Sequence, residues 1–214
     1  MPSFDPSRRI VQMRIATRLG DVRLAASPTG LAGLWFDGQR HQPAEWLDGP
    51  RAWPRDADHP VLHAAARQLA EYLDGGRDRF DLPLDLAGGT PFQQAVWHAL
   101  ATIPHGATTS YSALARGLGR PLAVRAVGAA VGRNPVSVIV PCHRVLGAGG
   151  ALTGYAGGLP RKAALLRLEG ALPPGLRGVP QWPGDVDGDG DGDGDGDGGG
   201  ISAVEPARAA GVAA

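Results

Sequence analysis

Residues 10–37 alternate apolar and polar positions with the period of two that marks half-buried strands. Val11, Met13 and Ile15 form one run, Val22, Leu24 and Ala26 a second, and Leu34 to Phe36 belong to a third. Leu19-Gly20-Asp21 and Ser27-Pro28-Thr29-Gly30 carry turn chemistry between them, which predicts a three-stranded antiparallel meander. Residues 38–58 mix Pro, Gly, Asp and Trp without a period and read as a long loop. From Pro60 the positions Leu62, Ala65, Ala66, Leu69, Tyr72 and Leu73 are spaced for a helix, which Asp74-Gly75-Gly76 stops. Phe80, Leu82, Leu84 and Leu86 alternate again. No chemistry is apparent in this half, and its single histidines read as surface groups.

Gly88-Gly89 reads as the joint to a second domain. Thr90 suits an N-cap with Pro91 at the first helical position, and Phe92, Val96 and Leu100 then recur at four-residue steps until Ile103-Pro104. Ser110 caps a second helix, Tyr111 to Arg116, ended by Gly117 and Gly119. Pro121 opens a third, Leu122 to Gly132, closed by Asn134-Pro135. Val136, Val138, Ile139 and Val140 then read as a short buried strand that Pro141 stops. Helix, turn, helix and strand in that order predict a helix-turn-helix of winged-helix character. The expected division is an N-terminal domain over 1–89, a second over 90–171 and a low-complexity tail over 172–214.

The third helix has few side chains on one side, where Ala126, Gly128, Ala129, Ala130 and Gly132 fall. Two glycines inside a helix cost about 1 kcal/mol each against alanine, so something should compensate. One reading is tight packing against another helix of the same domain. The other is close approach to nucleic acid: a helix with side chains is about 10–12 Å across and a minor groove about 6 Å wide. Such a face reads little sequence and suits scanning.

Charge is compatible with the second reading but does not decide it. The chain of 214 residues is neutral overall, but residues 90–170 hold eight basic residues against Glu169 alone, a net of +7. A polyanion or plain solvent would suit that face equally. Asp185 to Gly200 is mostly an Asp-Gly repeat, expected to be disordered. Its Gly198 stands where a calcium loop needs its last acid. There is no run of 18 apolar residues, which predicts a cytoplasmic protein without a membrane partner.

Cys142 is the only cysteine, followed directly by His143 and Arg144. These two neighbours are expected to favour its thiolate. One cysteine permits neither an internal disulfide nor an internal resolving thiol. By itself it is as readily a small buried hydrophobe.

The stretch from Thr90 to Gly170 closely resembles the O6-alkylguanine-DNA alkyltransferase family, whose Pro-Cys-His-Arg-Val signature stands intact at Pro141 to Val145. Further matches lie at family spacing, including Gly154-Tyr155-Ala156-Gly157-Gly158. The resemblance implies an α+β fold, with a ribonuclease-H-like N-terminal domain and a winged-helix catalytic domain. It also implies a monomer that repairs DNA by moving an alkyl group from O6-alkylguanine in duplex DNA to Cys142, once, without cofactor or metal. O4-alkylthymine is a second possible substrate.

By the same resemblance the helix-turn-helix enters the minor groove and the damaged nucleotide is flipped out beside the thiol. Arg125 then fills the gap in the base stack, with Ala126, Gly128, Ala129 and Gly132 against the groove. Glu169 orients His143, which takes the Cys142 proton directly or through water, and Tyr111 donates to the departing guanine. Asn134, Val145, Tyr155, Ala156, Gly157 and Lys162 line the pocket. Taken singly, Arg125 is as well a solvated arginine, Tyr111 a core aromatic with a wet tip, and Asn134 a plain helix stop. Lys162, the only lysine, sits poorly at a helix start, which favours a role other than a structural one. Ala156 departs from members with a serine there, leaving a backbone donor for the guanine oxygen. A damage-recognition protein without transfer is disfavoured by Cys142. A base-reading regulator is disfavoured by the small residues of the third helix, which a cysteine hydrolase would leave unexplained.

Overall fold

A computed structural model describes residues 9–172 of the chain, so the Asp-Gly repeat and its expected disorder lie outside the described residues. Strands β1 (Val11–Ile15), β2 (Val22–Ser27) and β3 (Gly30–Phe36) form the expected antiparallel meander in the order β1-β2-β3. Its register pairs Met13 with Leu24 and Leu24 with Leu34, which puts these apolar side chains on one face. Within the long loop a single helical turn, α1 (Ala44–Leu47), forms, and Leu47 joins Ile10, Ala25, Trp35 and Trp53 in a small cluster on the other face. Helix α2 (Pro60–Leu73) buries Leu62, Ala65, Leu69, Tyr72 and Leu73 against the sheet.

The segment Phe80–Leu86 alternates as a strand would but makes only one bridge, Leu84 beside Leu31. Pro83 has no N–H to give a ladder, so only its carbonyl is used, accepting from Leu31 N–H at 2.8 Å. The same edge of β3 takes Val136 beside Leu34. The chain leading to Cys142 is thereby stitched to the N-terminal sheet. Leu34 N–H donates to Pro135 O at 2.8 Å, and Ser137 N–H donates to Leu34 O at 3.0 Å.

Helix α3 (Pro91–Ala101) starts on a capping box in which Thr90 and Gln93 satisfy each other's backbone N–H. Strand β4 (Thr109–Ser110) runs straight into helix α4 (Tyr111–Gly117), with the Ser110 hydroxyl accepting from Ala113 N–H. Helix α5 (Val124–Gly132) begins later than Pro121: Pro121 and Leu122 form a turn, and Ala123 is the N-cap. Proline at 121 fixes φ for the turn, so it opens the loop and not the helix. Strand β5 (Val145–Leu146) pairs parallel with β4, and helix α6 (Leu159–Leu168) ends the described chain.

One contiguous core runs through both halves, from Leu19 and Val22 through Leu69 and Tyr72 to Val127, Val140 and Leu165. Among the described residues no helix is long and apolar enough to cross a membrane.

Candidate active site

Val136–Val140 is not the expected strand. After its bridge to Leu34, the chain turns twice within a few residues. Ile139 N–H donates to Ser137 O at 2.9 Å around Val138, whose φ is +71°. Cys142 N–H donates to Val140 O at 2.8 Å around Pro141. Both are γ-turns, and a β-branched residue at positive φ is a strained one. Asn134 holds the strain: its amide donates to Val140 O at 2.7 Å and its carbonyl accepts from Val136 N–H at 3.0 Å. These are the groups a strand would have paired, so an apolar run free of charge forms a buried knuckle here. Cys142–Arg144 follows as one 3-10 turn, which lets Cys142 and His143 avoid opposite faces of a strand.

Cys142 is 3 % exposed, and the Asn134 amide also donates to its Sγ at 3.2 Å. Burial pushes the thiol above its ordinary range, opposed by the Asn134 hydrogen bond and the Lys162 charge. The thiolate that its sequence neighbours were expected to favour is thus disfavoured at rest, because desolvation penalises the anion. Arg144, expected to favour that thiolate, is turned to Glu169, donating from Nε at 2.9 Å and from Nη2 at 2.8 Å, and to Ile103 O at 2.5 Å.

Glu169 caps α6 and is buried among donors. His143 Nε2 lies 2.9 Å from its Oε1, and the Tyr72 hydroxyl donates to the same oxygen at 2.5 Å. Burial alone would raise this carboxyl. The hydrogen bonds from His143, Arg144 and Tyr72 outweigh it and hold the group well below the carboxylate range. An ionised carboxylate only accepts, so His143 carries its proton on Nε2 and presents Nδ1 as an acceptor. That Nδ1 is buried without a hydrogen-bond partner. Thiol and imidazole are thus not directly bonded. Burial pulls His143 below its ordinary value despite Glu169, which keeps it neutral and able to accept.

A cavity of about 360 Å³ opens in front of the sulfur, lined by Cys142, Tyr111, Gly154, Tyr155, Ala156 and the Gly128, Ala129 and Gly132 face of α5. That volume is on the scale of a small-ligand site. The Tyr111 hydroxyl donates to Gly154 O at 3.2 Å across it, while the Tyr155 hydroxyl is buried without a partner. Asn134, Val145, Gly157 and Lys162 stand behind the wall and do not line it. A Cβ on Gly157 would come within 2.8 Å of the Tyr155 ring, so that glycine answers to packing inside the chain.

Lys162 is fully buried. Its ammonium donates to Val145 O and Thr153 O, each at 2.6 Å, and to Gly154 O at 3.3 Å. It ties the strand after the thiol to the pocket loop, a structural role that the favoured reading of its helix-start position did not include. Burial lowers its pKa from 10.5 to about 8.

On α5, Val127, Ala130 and Val131 face inward while Arg125, Ala126 and Ala129 face solvent. Trp97 Nε1 anchors the inner side by donating to Ala130 O at 2.9 Å. A Cβ on Gly128 would meet nothing closer than 3.8 Å, and one on Gly132 nothing within 4 Å. Packing inside the domain, the first reading of these glycines, does not call for them.

Three groups from the half read as free of chemistry reach the site. Tyr72 has been described; Arg40 and His41 line the same cavity as Cys142. Arg40 N–H donates to Ala156 O at 3.1 Å and its guanidinium to Tyr155 O at 3.3 Å. No local signal marks them, since each contact joins residues about a hundred positions apart.

The chain is similar to known proteins over most of its described length. A family described as 6-O-methylguanine DNA methyltransferase, ribonuclease-like domain, matches residues 10–86, and the DNA-binding domain of the same enzymes matches residues 91–171. The methylated-DNA–protein-cysteine methyltransferase of Mycolicibacterium paratuberculosis is 45% identical over 153 residues, which is 71% of this chain and 87% of that protein. The inducible one of Bacillus subtilis is 47% identical over 147 residues, 65% and 80% of the two chains. The crystal structure of Mycobacterium tuberculosis OGT in complex with DNA superposes with a TM-score of 0.65 at 44% identity, covering 76% of this chain and 94% of that one.

Proposed function

The chain belongs to the 6-O-methylguanine DNA methyltransferase family, and on that premise we propose that Cys142 is where this DNA-repair methyltransferase receives the alkyl group. The observation that carries the proposal is Cys142 in the cavity wall, with the unpartnered Nδ1 of His143 in the same 3-10 turn. O6-alkylguanine, swung out of duplex DNA, enters between the small-residue face of α5 and the Gly154–Ala156 loop. Arg125 takes its place in the stack. Arg40, His41 and Arg133 ring the opening, where the phosphates of an extruded nucleotide would come.

The thiol proton passes to His143 Nδ1 through a bridging water, and Glu169 holds the resulting imidazolium by its Nε2–H. The thiolate attacks the alkyl carbon; the carbon–oxygen bond breaks and its electron pair stays on the guanine oxygen. Tyr111, whose hydroxyl is held at the cavity by Gly154 O, turns to donate to the charged base. The Lys162 charge supports the transient thiolate from behind. The product is a thioether, which has no easy leaving group, so each molecule acts once. One copy of the chain holds every group named.

Titrating a fixed amount of protein against duplex carrying one O6-methylguanine per molecule tests this. Repaired lesions should rise to one per protein and stop, and Cys142→Ala should bind the duplex without repair. Turnover beyond one, or repair by the variant, would refute it.

A further inference from the structure

Resting on that reading, we propose that Tyr72 is a positioning residue of the proton relay: from α2 of the N-terminal domain, its hydroxyl holds Glu169 Oε1 and so sets how strongly His143 attracts the thiol proton. Tyr72 is 1 % exposed, and its hydroxyl donates at 2.5 Å to the oxygen that also accepts from His143 at 2.9 Å and Arg144 at 2.8 Å. The other carboxylate oxygen takes Arg144 Nε at 2.9 Å and Gly106 N–H at 3.4 Å.

Each donor on Oε1 takes up electron density that His143 would otherwise draw on. The Arg144 cation cancels the Glu169 charge, so the phenol works at the margin that remains. It stays a donor at all working pH, since burial and then the adjacent carboxylate keep Tyr72 from ionising. The groups facing this cluster are Arg144, Lys162 and Glu169 around His143, and His105, edge-on to the Tyr72 ring at 6.2 Å between centroids. Ring packing does not need the oxygen: Phe80 and His105 contact the ring itself, and phenylalanine would keep both.

Removing the hydroxyl leaves Glu169 a stronger partner for the imidazolium, so His143 becomes more basic. His143 must be neutral to accept the thiol proton, and the acid-side fall of the transfer rate should then move to higher pH. The test measures single-turnover transfer from a free O6-alkylguanine base across pH, for the native chain and Tyr72→Phe, with melting temperature alongside. The expected result is an acid limb displaced upward by roughly half a unit or more in the variant. Superimposed profiles with only a lower melting temperature would overturn the proposal and leave Tyr72 a fold support. Site-specific fluorotyrosine at position 72, a stronger donor of nearly the same shape, should move the limb the other way; an unmoved limb there would also overturn it. Native transfer in the same assay separates this outcome from failure of the active-site reading, which would abolish the signal altogether.

Discussion

A sulfur without a charge is a slow nucleophile, and the residues around Cys142 are arranged to create the charge when a substrate needs it. Desolvation holds the thiol neutral, while the Asn134 amide and the Lys162 ammonium wait on the side of the anion. Lys162→Met keeps the length of the side chain and removes the cation, leaving the carbonyls of Val145, Thr153 and Gly154 without their donor. It should lower the melting temperature by several degrees, at a cost of about 1–3 kcal/mol, and slow transfer from a free alkylated base as well as from duplex. A calorimetric scan and single-turnover rates check both. Cys142, His143 and Glu169 were legible from the Pro-Cys-His-Arg-Val signature and the lone acid of a basic segment. The direction of Arg144 was not, since a neighbour in sequence is not a neighbour in space once the chain enters a 3-10 turn. Nor was the strain at Val138, because Val, Ile and Val in a row look alike in a strand and in a buried knuckle.

Helix α5 shows the trade between stability and access. Its glycines have room for a methyl group inside the protein, yet the helix keeps them on the side toward the cavity. Gly128→Ala should therefore raise stability by about 0.5–1 kcal/mol, read by denaturant unfolding. Ala126→Leu, exposed on α5 and outside the cavity lining, should leave the fold intact but slow transfer from duplex at least tenfold, with a far smaller effect on a free alkylated base. Arg125→Ala should show the same bias toward duplex, as expected of a residue that fills a vacated stack; equal losses on both substrates would contradict that role. The two helices of the helix-turn-helix were readable from the Ser110 cap, the Gly117 and Gly119 stops and the Asn134-Pro135 close. The start of α5 was misplaced because Pro121 suits a turn as well as a first helical position.

Over the whole molecule, the N-terminal half is part of the site. Its β3 strand holds the segment before the thiol, Arg40 holds the loop at Tyr155 and Ala156, and Tyr72 reaches Glu169. The meander and the α2 helix were visible in the apolar periodicity, but contacts between distant segments leave no local pattern. This arrangement also couples acid stability to the relay. Glu169 is held below the carboxylate range, so its contribution is complete above the unfolded value of about 4.3 and is lost as pH falls through the folded one. Glu169→Gln should cost about 3–5 kcal/mol at neutral pH by leaving buried Arg144 unpaired, and should flatten the loss of stability below about pH 4.5. Unfolding curves across pH for the two chains check this.

The most direct measurement is the mass of the intact chain, and of its Cys142 peptide, after incubation with duplex DNA containing O6-methylguanine. One methyl group per molecule should be added, carried by the Cys142 peptide, together with ordinary guanine in the repaired strand. A methyl group on any other residue, or repaired DNA with the protein mass unchanged, would contradict it.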